Sequence, residues 1–188
     1  MLEGVRVKRP TRSLIVGRFQ PLHYGHLHAF KYALSRSDEL VIAIGSSQYC
    51  CEPRNPLSCD ERMEMIVRAL RREGFNLKRI YLSSVPDTES PDEVWGELVL
   101  DRVPRVDIAF SNDPETVRDL RAVGLKVEGI PFHRRDLYEA TKIRELMLRG
   151  DEHWKLLVPP SVRDFLMEID MESRIKKIYY KQGKINRL

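Results

Sequence analysis

From Ser13 onward, short runs of β-branched and apolar residues alternate with longer segments of helical period, and this alternation confines the chain to a βαβ protein built on a parallel sheet. Strands are expected over residues 13–16, 39–44, 79–83, 106–110 and 126–130, with helices between them near 25–35, 60–73, 91–102 and 114–123. Boundary signals agree with that division. Gly74 and Gly124 serve as stops, and Ser90 stands as an N-cap ahead of Pro91 at a first helical position. A fifth helix over 141–149 ends at Gly150, and a sixth follows Pro159-Pro160 from Ser161 towards Lys177. Right-handed crossovers turn this order into a doubly wound, Rossmann-like α/β fold of about five strands with a C-terminal helical extension, whose ligands bind at the carboxyl ends of the strands. The expected organisation is a basic extension over 1–12, an α/β domain over 13–160, and a helix and basic tail over 161–188 packed on or extending from that domain.

A chain of 188 residues with 42% hydrophobic content, 10 Gly and 11 Pro is neither collagen-like nor low-complexity nor disordered. No apolar run reaches the roughly 20 residues of a membrane helix, and residues 1–12 lack the apolar stretch of a signal peptide, so no membrane and a cytoplasmic location are expected. Cys50, Cys51 and Cys59 are an odd, closely spaced set without a CxxC pair, and neither a disulfide framework nor a metal site is expected from them. The net charge of +4 by itself suggests nucleic acid, but its distribution does not. Residues 1–12 carry four basic groups and one acid, residues 174–188 carry six basic groups and no acid, and the body between them has 22 basic against 27 acidic residues. In the tail, Arg174, Lys176, Lys177, Lys181, Lys184 and Arg187 interleave with Tyr179 and Tyr180. Such a pattern suits a solvated or inter-subunit helix or a track for a nucleic-acid backbone, and nucleic acid is the disfavoured partner.

The strongest local signal follows the first strand, where Gly17-Arg18-Phe19-Gln20-Pro21-Leu22-His23-Tyr24-Gly25-His26 leads into helical period. His23 and His26 are three apart, so both imidazoles can face one ligand, and a helix N-terminus attracts phosphate. Gly25 removes a side chain where a nucleotide would approach the backbone. The competing reading is an ordinary turn with surface or capping histidines.

These residues resemble the HxGH signature of the nucleotidyltransferase superfamily, and with Gly17 to Pro21 they resemble the archaeal type of nicotinamide-mononucleotide (NMN) adenylyltransferase, a likeness that runs to about Val162. That family joins ATP and NMN to make NAD and pyrophosphate, and commonly forms homo-oligomers, often hexamers. Gly45-Ser46-Ser47-Gln48, followed by Arg54-Asn55-Pro56, resembles the family's GSxQ stretch with its following Arg, which makes Arg54 a contact to ATP phosphates; an ordinary loop arginine remains the alternative. Asp92-Glu93-Val94-Trp95 stands where the family usually has Asn-x-x-Trp, with the indole near the nicotinamide ring. Trp95 also fits a core position, having Leu98 and Val99 at i+3 and i+4. Asp92 can accept from a carboxamide N–H but opposes the carboxylate of nicotinic acid mononucleotide. Ser111-Asn112-Asp113-Pro114 resembles the family's SxNP-like step, with Asp113 where the family has Asn and equally placed as a helix N-cap. Tyr138-Glu139-Ala140-Thr141-Lys142-Ile143-Arg144 resembles the family's YSGTxIR phosphate motif, with Glu139 replacing Ser. If Thr141 caps that helix, Lys142 and Arg144 sit in its first turn, where the macrodipole disfavours cations and a polyphosphate reverses the penalty; an Arg144 paired to a nearby acid is the alternative.

The resemblance implies in-line attack of the mononucleotide phosphate on the ATP α-phosphorus. Its implied catalytic residues are His23, His26, Arg18 and Arg144. It implies ATP contacts from Gly17, Phe19, Gln20, Gly25, Arg54, Tyr138, Thr141 and Ile143, and mononucleotide contacts from Ser46, Gln48, Asp92, Trp95, Asn112 and Asp113. Mg2+ is expected to be carried with ATP rather than by a dedicated carboxylate cage. The alternatives are an adenylyl- or cytidylyltransferase with another phosphorylated acceptor, or a non-catalytic nucleotide- or RNA-binding protein on this fold.

Overall fold

The computed structural model describes residues 9–131, 138–181 and 183, so residues 1–8 of the basic extension and Lys184 and Arg187 of the tail lie outside the described residues. Five strands, β1 (Arg12–Gly17), β2 (Glu39–Ile44), β3 (Ile80–Ser84), β4 (Ile108–Phe110) and β5 (Val127–Glu128), pair in parallel in the order β3-β2-β1-β4-β5. Seven α-helices are found among the described residues: α1 (Tyr24–Arg36), α2 (Cys59–Arg72), α3 (Trp95–Arg102), α4 (Pro114–Ala122), α5 (Ala140–Arg149), α6 (Pro160–Glu168) and α7 (Met171–Lys181). The chain steps outward from β1 to β3 and then returns to the other side of β1, which opens the crevice of a doubly wound sheet beyond the carboxyl ends of β1 and β4. None of the described helices is long and apolar enough to cross a membrane.

β2 shows why the sheet is covered on both faces. Its Leu40, Ile42 and Ile44 pack with Phe30 of α1 and Met65 of α2, while Val41 and Ala43 pack with Val99 of α3 and Leu120 of α4. The period of two splits one apolar run between two cores, the pattern of a strand buried in a parallel sheet. Phe165 and Leu166 of α6 and Ile175 of α7 join the first core. The register aligns Gly17 with Ile44 and Ile44 with Ser84, so the loops after β1, β2 and β3 leave the sheet at one level. Gly45 N–H donates to the Gly17 carbonyl at 3.0 Å, and Val85 N–H to the Ile44 carbonyl at 2.9 Å. α2 starts on a capping box, with Glu61 N–H donating to Ser58 Oγ and Ser58 N–H donating to the Glu61 carboxylate.

Three expectations about element ends need correction. The helix expected from Pro91 begins at Trp95: Ser90 Oγ accepts from Asp92 N–H at 3.3 Å, but it caps only a single turn, which the Glu93 carboxylate closes by accepting from Glu89 N–H at 2.7 Å. Thr141 is not a cap: Glu139 holds that position and Thr141 lies inside the first turn of α5. The single helix expected from Ser161 to Lys177 is two, broken at Asp170, whose φ of 49° lies in the left-handed region. β5 is also shorter than expected, since the Asn112 side chain takes both the N–H and the carbonyl of Ile130.

Candidate active site

The loop after β1 is folded around its own phenylalanine. A Cβ on Gly17 would stand 2.9 Å from the Phe19 ring, so that ring can lie against the backbone only because residue 17 is glycine. Phe19 is itself held at φ 50° while its buried ring packs edge-on to His26 at 4.8 Å and against Phe30 at 5.8 Å. Gln20, also buried, donates from its amide to the Leu57 carbonyl at 2.9 Å and accepts from Leu57 N–H at 3.0 Å. The first loop is thereby tied to the loop after β2.

His23 is the N-cap residue of α1, and its backbone N–H donates to His26 Nδ1 at 3.2 Å. That contact makes Nδ1 of His26 an acceptor and assigns its proton to Nε2. The two imidazoles stack with centroids 3.7 Å apart. Burial pushes the pKa of His23 down to about 4. Burial, and secondarily the neighbouring His23, hold His26 well below the usual imidazole range. Both rings are therefore neutral donors at pH 7. His23 Nδ1 is buried without a hydrogen-bond partner. A Cβ on Gly25 would come within 3.0 Å of His23 Nδ1 and 3.2 Å of Tyr138 Cβ, so this glycine makes room for the His23 ring and Tyr138 rather than directly for a nucleotide.

Arg144, Arg18 and Arg54 lie close enough together for their charges to interact. Arg144 is buried, donating from Nη1 to the Gln20 carbonyl at 2.7 Å and from Nη2 to Thr141 Oγ1 at 3.3 Å, while its buried Nε has no hydrogen-bond partner. Burial lowers its pKa, Tyr179 opposes the shift, and the charges of Arg18 and Arg54 add to it. No ion pair to Arg144 is found among the described residues. Arg18 and Arg54 are exposed. Arg62, which the sequence analysis gave no role, is fully buried and donates to four carbonyls, those of Ser58 (3.2 Å), Arg18 (3.0 Å), Gly45 (2.8 Å) and Ser46 (3.1 Å). It fixes the first two loops against α2.

A cleft of about 630 Å³ opens at the carboxyl ends of the strands. Of the residues expected in the site, Gly17, Arg18, Ser46, Arg54, Trp95 and Asp113 line it. Trp95 serves both readings given above, since it lines the cleft and also packs against the second core. Ser46, at φ 49°, donates its hydroxyl to the Asp87 carboxylate at 2.9 Å. Gln48 bonds the Asp87 backbone in both directions, so its amide holds Asp87 in place. Asn112 is committed to Ile130, and Asp113 caps α4 by accepting from Thr116 N–H at 2.8 Å. Asp92 is exposed and is not among the lining residues. Phe19, Gln20, Gly25, His23, His26, Tyr138, Thr141, Ile143 and Arg144 lie about the starts of α1 and α5 rather than on the cleft wall, with Ile143 wholly inside the first core. The cleft also carries acids that sequence reasoning missed: Glu52, Asp87, Glu115 and Asp119. Two of these, Glu115 and Asp119, read in the sequence as the polar face of an ordinary helix.

The model of the cytidylyltransferase-like family matches residues 14–146. The chain is 41% identical to the nicotinamide-nucleotide adenylyltransferase of Thermococcus onnurineus over 90% of its own length and 89% of that protein's, and 39% identical to that of Saccharolobus solfataricus over 89% and 96%. Among solved structures, it resembles a bifunctional NMN adenylyltransferase/ADP ribose pyrophosphatase from Francisella tularensis, complexed with AMP and a manganese ion, at a TM-score of 0.76 and 21% identity. That likeness in fold covers 93% of this chain and 53% of the other.

Proposed function

Since the chain belongs to the nicotinamide-nucleotide adenylyltransferases, within the cytidylyltransferase-like family, we propose that it condenses ATP with NMN to give NAD and pyrophosphate. The observation that carries the reading in this molecule is the pair of stacked, neutral histidines at the start of α1, with Arg144 tied to the same loop through the Gln20 carbonyl and its charge felt by Arg18 and Arg54, which line the cleft together with Trp95.

A phosphate oxygen of NMN attacks the ATP α-phosphorus, the new O–P bond forms, and the bridging bond to the β-phosphate breaks with pyrophosphate as leaving group. The attacking oxygen already carries negative charge, so no side chain has to remove a proton. The protein's task is to hold two anions in line and to stabilise charge that moves onto the bridging oxygen. His26 is proposed to donate from Nε2 to that charge, with His23 beside it on the ATP phosphates. Arg144 is the strongest candidate for a fixed phosphate contact, since its buried charge has an unfilled donor and its bonds to the Gln20 carbonyl and the Thr141 hydroxyl hold it in place. Arg18 and Arg54 extend the positive end toward the cleft, and Thr141 and Tyr138 flank it.

Gly17, Phe19, Gln20, Gly25 and Ile143 are proposed to act by shaping the ATP site. Ser46, Gln48, Asn112 and Asp113 shape or line the mononucleotide site, where Trp95 offers its face to the ring. Mg2+ is read as arriving with ATP, because the phosphate end presents imidazole and guanidinium donors rather than the oxygen ligands a hard cation takes. Homo-oligomerisation is carried forward from the family resemblance, and light scattering on the purified protein reads its size.

The test is pyrophosphate release with ATP or CTP against a panel of mononucleotides and phosphorylated alcohols, with NAD identified chromatographically. ATP with NMN is expected to give the highest turnover. Release only with another acceptor, or only with CTP, would refute the proposal.

A further inference from the structure

The sequence of the last helix suits a solvated or inter-subunit helix or a nucleic-acid track, and its two tyrosines take different places in the fold. Met171, Ile175 and Ile178 bury one face of α7. Tyr179 follows Ile175 by four residues on that face and packs against the first core, while Tyr180 is exposed with Lys176, Lys177 and Lys181. Two polar ties fix where α7 lies. Arg174 Nη1 donates to both oxygens of Glu61 at 2.7 Å, and the same carboxylate accepts from Ser58 N–H in the capping box of α2. Trp154, itself buried, donates from Nε1 to the Glu172 carboxylate at 2.9 Å.

The face that carries Tyr179 lies along α5, whose Ile143 and Met147 share the first core with Ile175. A Cβ on Gly150, just past the end of α5, would stand 3.7 Å from Lys176 Nζ. Three residues further along α7, the Tyr179 side chain hydrogen-bonds Arg144 in the first half of α5, so the two helices run antiparallel. Arg144 is thereby held by oxygens from three elements: the Gln20 carbonyl of the first loop at 2.7 Å, the Thr141 hydroxyl of α5 at 3.3 Å, and the phenol of α7. All three are uncharged. They fix the guanidinium without cancelling its charge, as a carboxylate would, and its buried Nε is left without a partner.

We infer that Tyr179 is a positioning residue for the proposed reaction, through which the C-terminal helix holds Arg144 ready for the ATP phosphates; the inference rests on the assignment of Arg144 to those phosphates made above. A long side chain gives up rotamer freedom when it binds a ligand, and one already fixed has less to lose. The Gln20 and Thr141 bonds come from the residues around the start of α5, and Tyr179 adds a support from a separate helix that is itself tied to α2 and to Trp154. Removing the hydroxyl loosens the guanidinium and leaves its other two bonds and the packing of the Tyr179 ring in place. The loss falls on ATP rather than on the mononucleotide, because neither Tyr179 nor Arg144 is among the residues that line the cleft beside Trp95.

The experiment is calorimetric titration of the native chain, Tyr179→Phe, Arg144→Ala and the double variant with Mg-ATP, carried into the millimolar range so that weak binding is still read. Tyr179→Phe keeps the ring and is expected to raise the Kd about tenfold, the range of one hydrogen bond to a charged group. Its KM for NMN and its Tm should stay at the native values. In the Arg144→Ala background the same substitution should change the Kd by less than about twofold, since the hydroxyl then has nothing to hold. A tyrosine that serves only the core lowers the Tm and moves the Kd equally in both backgrounds. Native ATP affinity in Tyr179→Phe, or an equal weakening with and without Arg144, would overturn the inference, and NAD formation by the native chain would leave the proposed reaction standing. Arg144→Ala binding ATP as tightly as the native chain would overturn the inference together with the phosphate role of Arg144. The expected Kd pattern in a protein that forms no NAD would overturn the reaction alone.

Discussion

Arg62→Met removes the guanidinium that joins the first two loops to α2. Four carbonyls, of Arg18, Gly45, Ser46 and Ser58, lose their donor, those of Gly45 and Ser46 in buried surroundings. At about 1.5–3 kcal/mol for each hydrogen bond from a charged donor, the gross loss is on the order of 6–12 kcal/mol. Against it stands the desolvation of a fully buried cation, which depresses the Arg62 pKa and is relieved in the variant. A return of several kcal/mol per buried ion leaves a net destabilisation of about 3–5 kcal/mol. For a chain of this length that corresponds to a fall in Tm of roughly 10 °C. The loops carrying Arg18 and Ser46 also lose their anchor, so kcat/KM should drop about a hundredfold, the penalty expected when positioned groups shift by an ångström. Urea unfolding followed by circular dichroism gives the first quantity and pyrophosphate release the second. A variant within about 0.5 kcal/mol of the native protein, with normal kcat/KM, would refute the claim that Arg62 organises the site, since that range is typical of neutral surface changes.

His26→Ala is expected to lower kcat by about 10²-fold or more while circular dichroism stays native, the loss typical of a preorganised donor; near-normal turnover would remove His26 from the reaction. Trp95→Ala should raise KM for the mononucleotide more than for ATP, and equal effects in steady-state kinetics would mean that the indole serves only the second core. The histidines also predict a pH dependence of stability. Their native pKa values lie below the unfolded value near 6.5, so the unfolded chain takes up protons first and stability falls as pH drops from about 6.5 toward 4, by up to about 1.4 kcal/mol per unit for each ring. Replacing His23 with Asn should flatten that slope in urea unfolding across the window, and an unchanged slope would contradict the buried, neutral imidazole.

What could be read from the sequence depended on whether a residue's partner lay close by in the chain. β2 matched its expected span because an unbroken apolar run with Glu39 before it and Gly45 after it leaves little choice of ends. The first loop was legible because its glycines and histidines act within ten residues of one another. The start of α3 was misread because Ser90-Pro91 is a good local signal that loses to the reach of Glu93 back to Glu89 N–H. The break between α6 and α7 carries no Gly or Pro, and Asp170 takes the left-handed conformation without announcing it. The carboxylates of the cleft and the carbonyl-binding role of Arg62 were invisible for one reason. A charged residue on an amphipathic helix has the same sequence pattern whether it meets water, a cleft or the ends of strands folded from elsewhere.

The two buried arginines bear on how such a sheet can present positive potential. In a trans peptide the N–H points roughly opposite to the C=O. Arg62 draws the carbonyls of Arg18 and Gly45 inward, and so turns the N–H groups of Phe19 and Ser46 away from itself. Its charge is spent on peptide dipoles, which holds the two loops in place. Arg144 works in the other sense. Its Nη atoms bond the Gln20 carbonyl and the Thr141 hydroxyl, Tyr179 supports its charge, and Arg18 and Arg54 oppose it. Repulsion among three guanidiniums is unfavourable in the free protein and becomes favourable once a polyphosphate lies between them. Part of the folding free energy is thus held as an electrostatic demand, which ATP is proposed to satisfy at the end of the cleft lined by Arg18 and Arg54.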